Sequence, residues 1–175
     1  MATLKATAMV MWIFFGATMF VGFFIVKGGQ DFVANSILGT GLPPYGILAL
    51  MMVILFVLGM FLDWVGILLL TVPIFLPILT ALPWSGIAGI AGVKPDDVSL
   101  WYGVIFMVNM QMAFLSPPFG YSLFYLKSVA PKEITMAMIF RSAMPFIGLQ
   151  ALGNLMCIIF PQIILYLPSK FYGGG

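Results

Sequence analysis

Charged positions are rare along the chain and divide it into long apolar stretches. Seven basic and five acidic residues are spread over 175 positions. The stretches without any charge are 6–26, 32–62, 64–93, 98–126 and 142–169. A helix crosses the hydrocarbon core of a bilayer with about 20 apolar residues, and a charge at its centre opposes insertion by about 2.5–3.5 kcal/mol. The pattern therefore predicts an all-α integral membrane protein, a polytopic bundle embedded in the lipid bilayer.

The first two stretches predict two plain membrane spans, at residues 8–26 and 45–62. Between them, 27–44 is rich in glycine and polar residues and ends in two prolines, which predicts a connector with a short interfacial helix over 31–38. A cleaved signal peptide is the alternative interpretation of the first span. Its apolar run is longer than the core of a usual signal peptide and no small-residue cleavage site follows, which favours a retained span.

Two prolines, Pro73 and Pro77, interrupt the apolar segment 64–82. Proline inside a helix removes a backbone donor and clashes with the carbonyl four residues earlier, at a cost of about 3 kcal/mol or more. The parts before and after Pro73 are each too short to cross a bilayer. A re-entrant hairpin, whose two arms enter and leave on one side, and a single kinked span both fit this pattern.

The strongest local feature is a break in the helix predicted over 101–127. Pro117 and Pro118 remove two consecutive backbone donors. The carbonyls of Ala113 and Phe114 therefore lose their usual helical partners. Such carbonyls bind a small cation well, the following half-helix presents an N-terminal end that favours a carboxylate, and secondary transporters build sites from helices broken in this way. A purely structural kink is the alternative. Side-chain polarity around the break comes from Asn109, Gln111, Ser116 and Ser122.

The last charge-free stretch predicts a span at 145–167, with Pro145 either kinking it or marking its entry into the membrane. Three basic residues, Lys127, Lys132 and Arg141, precede this span in one short loop. Basic residues favour cytoplasmic loops. This loop is therefore expected in the cytoplasm, and the C-terminus is expected on the opposite side of the membrane, which would be the periplasm in a bacterial inner membrane.

Composition narrows the chemistry further. Hydrophobic residues make up 63% of the chain and charged residues 7%, against about 45–50% and about 25% in soluble domains. This balance excludes a soluble enzyme and a nucleic-acid-binding protein. Histidine is absent and cysteine occurs once, at Cys157. Zinc sites, haem ligation and histidine-based acid–base catalysis are therefore not expected, and we predict that the protein is not an enzyme.

Five short motifs occur in a fixed order along the chain. They are GMFLD at 59–63, TVPIFLP at 71–77, VNMQ at 108–111, SPPFGYSLFYLK at 116–127 and FPQ at 160–162. Together they resemble the C-terminal half of the large permease subunit of TRAP (tripartite ATP-independent periplasmic) transporters. The Asn-x-Gln and Pro-Pro-Phe-Gly pieces are most similar to the branch assigned to mannitol and chloroaromatic compounds.

The resemblance implies a fold, an activity and partners. Such permeases are sodium-driven symporters of the bacterial inner membrane, with an elevator mechanism and two inverted repeats. Each repeat contains a re-entrant hairpin and a broken helix, which would fall here on 63–82 and 101–127. The implied partners are a small four-helix membrane subunit and a periplasmic substrate-binding protein. The implied substrates are organic acids.

The resemblance also places the sodium and substrate region, at 71–73 and 109–120. Sodium, the coupling ion, is the only cofactor implied. The ion-binding candidates are Thr71, Pro73, Asn109, Ala113, Phe114 and Ser116. The substrate-binding candidates are Gln111, Ser116, Pro117, Pro118, Gly120 and Ser122. Many family members have glycine at the position of Ala113 and threonine at that of Ser116. The retained hydroxyl preserves the ion-binding chemistry, whereas the methyl group of Ala113 narrows the approach of a ligand to the backbone.

The resemblance covers less than half of a family permease. The chain is then a truncated gene product, a fragment, or half of a split permease whose N-terminal half is a further partner. A dimer of two oppositely inserted copies is another hypothesis. The alternative function is a non-transporting scaffold or assembly module, or an inactive remnant.

Overall fold

The computed structural model describes residues 2–62, 64–84, 93–118 and 120–172. Within these ranges the chain is helical and contains no strand, which confirms the predicted all-α class. The helices are α1 (Ala2–Val26), α2 (Gly29–Leu38), α3 (Pro44–Phe61), α4 (Trp64–Thr80), α5 (Val98–Leu115), α6 (Tyr121–Val129), α7 (Met136–Ile159) and α8 (Gln162–Tyr172). A short 3-10 turn, Pro95–Asp97, precedes α5.

Three described helices are long and apolar enough to cross a membrane: α3, α5 and α7. A fourth candidate combines the apolar part of α1 with α2, and the two helices are bent by 72° at the intervening glycine turn. The short helix predicted in the connector is confirmed as α2. Helix α4 is apolar but shorter than these spans.

The chain divides into two compact units. The described residues of 1–55 and 62–82 form the first unit, in which α1 packs on α4 and α2 contacts both. The described residues of 56–61 and 83–175 form the second, in which α5 packs against α7 and both contact α6 and α8. The predicted broken helix lies wholly in the second unit.

The hairpin predicted over 64–82 is wrong, because α4 continues through both of its prolines. Pro77 has no N–H group for the carbonyl of Pro73, four residues earlier. The side-chain Nε2 of Gln30 on α2 lies 3.5 Å from that carbonyl oxygen and donates to it. One turn earlier, the Thr71 hydroxyl donates to the carbonyl oxygen of Ile67 at 2.8 Å. The Gln30 side chain therefore supplies a donor to the carbonyl that Pro77 leaves without one, whereas the Thr71 hydroxyl adds a second bond to a carbonyl that keeps its backbone donor.

The last span also differs from its prediction, since α7 begins well before Pro145 and passes through it. The Thr135 hydroxyl caps its first turn by accepting from the Met138 amide at 3.3 Å. Arg141 is exposed within this helix. A long basic side chain near a helix end reaches the membrane surface, so a charge does not mark the start of the helix. The predicted range 145–167 straddles the interruption at Phe160, where α7 ends and α8 follows.

Candidate functional site

The central element of the candidate site is the interruption between α5 and α6, which confirms the predicted break. Helix α5 ends at Leu115, and Ser116 adopts an extended conformation with φ −91° and ψ 143°. Gly120 has φ 52° and ψ 55°, a left-handed conformation that favours glycine, and α6 begins directly after it. Phe119, between these positions, lies outside the described residues.

Ser116 closes the end of α5 with two hydrogen bonds. Its backbone amide donates to the carbonyl of Ala113 at 3.1 Å, and its hydroxyl donates to the carbonyl of Met112 at 2.8 Å. The Ala113 carbonyl thus lacks its usual helical donor, as expected, but it is not left without a partner. In a continuous helix that carbonyl would accept from residue 117, which is proline, and the Ser116 amide replaces this donor by bonding three residues back.

These bonds determine what the Ser116 hydroxyl still offers. A hydroxyl has one hydrogen to donate and two lone pairs that accept. The hydrogen is directed at Met112, so only lone pairs remain. The side chain is 3% exposed and lies at a membrane-helix break. Such an oxygen suits a cation or an N–H donor, and it does not donate to a carboxylate while it bonds Met112.

Three ion-binding candidates share one buried face of α5. Asn109, Ala113 and Ser116 follow one another at helical spacing, and their exposed fractions are 3%, 0% and 3%. Phe114, the fourth candidate on this helix, is half-buried. The end of α3 approaches the same face, since a Cβ at Gly59 would lie only 2.6 Å from the Ala113 Cβ. Gly59, in the first of the sequence motifs, is therefore a close-packing residue.

The substrate candidates around the break differ in exposure. Pro117, Pro118 and Ser122 are exposed, whereas Gly120 is buried. A Cβ at Gly120 would lie 2.7 Å from a ring carbon of Phe140. The carbonyl of Gly120 accepts from the first bonded amides of α6, so the remaining N–H groups of the first turn have no partner within the helix.

Gln111 lies on a different face of α5 from Asn109, as their spacing predicts. Its Oε1 is 3.5 Å from the Nε2 of Gln150 on α7. Gln111 therefore takes part in a side-chain hydrogen bond between α5 and α7.

Three polar residues near α5 and α7 were not selected from the sequence. Gln150 Oε1, Asn154 Oδ1 and the Tyr102 hydroxyl are buried without a hydrogen-bond partner among the described residues. Gln150 and Asn154 are four positions apart and therefore share a face of α7. Two amides at this spacing in the apolar part of a predicted span are a signal that the sequence contains. An unpaired buried polar group costs about 1–3 kcal/mol, so each of these atoms carries a cost that a further partner would relieve.

The remaining two candidates, Thr71 and Pro73, lie in the first compact unit. Thr71 is buried, and its hydroxyl hydrogen is committed to Ile67. Like Ser116, it therefore presents only lone pairs to a further ligand. Pro73 is exposed and its carbonyl accepts from Gln30.

The apolar helices and the buried polar break between α5 and α6 together define the class to which the protein belongs. It is a polytopic helical membrane protein with a discontinuous helix, an architecture that secondary transporters use. A family model described as the DctM component of the tripartite ATP-independent periplasmic transporter matches residues 1–163. The chain belongs to this family of TRAP transporter large permeases, as the motifs indicated.

Curated relatives share this membership. The chain is 27% identical over 169 residues to the C4-dicarboxylate TRAP transporter large permease protein DctM of Vibrio cholerae, a match covering 97% of the chain and 34% of that protein. It is 27% identical over 173 residues to the sialic acid TRAP transporter large permease protein SiaM of Vibrio cholerae, covering 99% and 37%. The ectoine TRAP transporter large permease protein TeaC of Halomonas elongata is 28% identical over 124 residues, covering 71% and 26%.

The chain spans about a third of the length of the first two relatives. No solved structure matches it.

Proposed function

We propose that the chain supplies the broken-helix half of a TRAP-type symporter in the bacterial inner membrane, which takes up an organic anion together with sodium. A periplasmic binding protein delivers the anion, and a small membrane subunit and the N-terminal half of the permease complete the transporter. The observation that carries this proposal is the buried Ser116 hydroxyl, whose only free capacity is to accept, at an interruption of a membrane helix.

Sodium binding follows from the chemistry of this face of α5. The Ser116 oxygen has lone pairs to offer, and the Ala113 carbonyl has a second lone pair beside the one that the Ser116 amide uses. The Asn109 amide is buried one turn before Ala113. Oxygen atoms in a low-dielectric surrounding stabilise a small hard cation, which in turn compensates for the water they have lost.

Anion binding follows from the other side of the break. The first turn of α6 presents N–H groups and the positive end of the helix dipole, a combination that favours a carboxylate. Ser122 adds an exposed hydroxyl there, and Pro117 and Pro118 keep the chain from continuing α5 over this end. Gln111 takes part through its pairing with Gln150, which can open to admit a polar group of the substrate.

If sodium and the anion bind close to each other, the binding of one affects the affinity for the other. Opposite unit charges about 4 Å apart attract by about 4 kcal/mol at an effective dielectric constant of about 20. Typical coupling free energies between sites are about 1–3 kcal/mol, so charge alone is sufficient. Sodium would then raise the affinity for the anion, and the anion would raise the affinity for sodium by the same factor.

Uptake by the complete transporter, measured while sodium is titrated, tests this function. Ser116→Ala removes the accepting oxygen and should raise the half-saturating sodium concentration about tenfold or more, whereas Ser116→Thr should leave it unchanged. Ser128→Ala is the matched control, because its hydroxyl also bonds a carbonyl of its own helix, that of Tyr125, and lies outside the break. Uptake that proceeds at an unchanged rate without sodium would overturn the proposal.

The orientation belongs to the same proposal. The loop with Lys127, Lys132 and Arg141 faces the cytoplasm and the C-terminus faces the periplasm. Labelling of a cysteine introduced at Ser169, in a variant lacking Cys157, by a membrane-impermeant thiol reagent checks this. Labelling in intact spheroplasts is expected, and labelling only of inverted vesicles would contradict it.

A further inference from the structure

A groove of about 600 Å³ opens in the second compact unit, beside the loop that joins α6 to α7. Its walls come from the end of α5, from α6 and from α7, and almost all of the lining side chains are apolar. A buried cluster of Leu123, Ile139 and Ala143 contributes its floor. The groove lies away from the sodium-binding face proposed above, because none of Asn109, Ala113 and Ser116 lines it.

The groove is elongated along α7. Met138, Ser142, Phe146 and Gln150 line it at intervals of four residues. Twelve residues of an α-helix rise about 18 Å. Half of the hydrocarbon core of a bilayer is about 15 Å thick. The groove therefore runs from the loop through about one leaflet, which is the depth that a lipid acyl chain occupies.

Basic residues surround the shallow end of the groove. The Nζ of Lys127 donates a hydrogen bond to the carbonyl oxygen of Ile134, which lines the groove, at 2.5 Å. Arg141 directly precedes Ser142, which also lines the groove. Lys132 is exposed in the loop between them. With one acidic residue, Glu133, the net charge at this end is +2. None of these four groups forms an ion pair within the described part of the chain.

We propose that this groove is a specific binding site for an anionic phospholipid. The phosphate lies among Lys127, Lys132 and Arg141, and one acyl chain lies along α7 against the cluster of Leu123 and Ile139. The net positive charge selects an anionic headgroup, and the apolar walls exclude water from the chain. Gln150 marks the deep end, where the terminal methyl stops.

The net charge at the shallow end of the groove determines how strongly an anionic lipid should be preferred over a zwitterionic one. A basic residue near an anionic headgroup changes affinity about fivefold. A net charge of +2 therefore predicts a preference of about 25-fold for phosphatidylglycerol over phosphatidylcholine with identical acyl chains. Native mass spectrometry of the purified full chain, titrated with each lipid in mild detergent, measures this preference. Equal affinities for the two lipids would overturn the proposal.

Matched variants distinguish a specific headgroup site from non-specific attraction of an anionic lipid to basic residues. Lys132→Gln combined with Arg141→Gln removes the net charge and should abolish the preference, whereas Lys94→Gln at the opposite end of α5 should retain it. Glu133→Gln should strengthen phosphatidylglycerol binding about fivefold, a gain that misfolding does not produce. A preference that survives the double variant, or one that Lys94→Gln reduces equally, contradicts the site.

The groove itself is tested by Ser142→Phe, which fills it from an exposed lining position without removing any core side chain. Binding of both lipids should fall about tenfold or more, with Ser142→Ala unchanged. Undiminished binding by the phenylalanine variant would show that the lipid lies elsewhere or that another protein segment covers the groove. These readouts measure lipid binding alone, so they stand whether or not uptake depends on sodium.

Discussion

Substitution of Gly120 by alanine tests the geometry of the break most directly. The residue has a positive φ of 52°, where an L-amino acid with a side chain is destabilised by about 1–2 kcal/mol. The new Cβ would also lie 2.7 Å from one ring carbon of Phe140 and 3.1 Å from another. Phe140 packs against the buried cluster that contains Leu123, so a displacement of its ring disturbs that packing. Overpacking of this kind costs about 1–3 kcal/mol. Gly120→Ala should therefore destabilise the protein by about 2–5 kcal/mol.

The measurement is the free energy of unfolding of the purified chain in mixed micelles, titrated with a denaturing detergent. Gly148→Ala is the matched control, because nothing lies within 4 Å of a Cβ there and the position is helical. Alanine favours a helix over glycine by up to about 1 kcal/mol, so the control should be neutral or stabilising.

A second variant divides the effect into its two causes. Phe140→Leu in the Gly120→Ala background removes the ring edge that the new Cβ meets, so the steric part should be recovered and the backbone part should persist. If Gly120→Ala and Gly148→Ala behave alike, the left-handed turn and its contact with Phe140 are not as described, and the reasoning about the break fails with them.

Two further substitutions test packing around α5. Gly59→Ala places a Cβ 2.6 Å from the Cβ of Ala113, and it should destabilise the protein by about 1–3 kcal/mol in the same assay. Adding Ala113→Gly removes the clash and should restore stability. A loss of stability that Ala113→Gly does not relieve would contradict the contact. Asn154→Leu removes a buried amide oxygen that has no hydrogen-bond partner among the described residues. The free energy of unfolding should therefore stay unchanged or rise by up to about 2 kcal/mol. A clear loss of stability would mean that the amide has a partner in the membrane.

The break at Ser116 shows what local chemistry alone predicts. Two adjacent prolines lack donors wherever they occur in a fold, so the interruption of the helix follows from the residues themselves. The hydrogen-bond partners of the carbonyls that the prolines free do not follow from the residues alone. The Ser116 amide could turn back to Ala113, or water or an ion could take its place, and only the three-dimensional path of the chain selects the first.

The segment 64–82 shows the opposite case. Proline there disfavours a helix by local rules, and two interpretations remained open from the pattern. Helix α4 nevertheless continues through both prolines, and Gln30, far away in sequence, supplies a donor to the carbonyl that Pro77 leaves without one. A contact between residues so distant along the chain leaves no periodic signal in either segment.

Membrane character, helical class and family membership were all determined by the sequence, because the cost of burying charge and the donor pattern of proline belong to single residues and short motifs. Tertiary structure decided the continuity of α4, the bounds of α7, the remaining capacity of the Ser116 hydroxyl and the groove beside basic residues. Each of these depends on which side chains meet across helices, and packing between helices is a property of the whole bundle rather than of any segment.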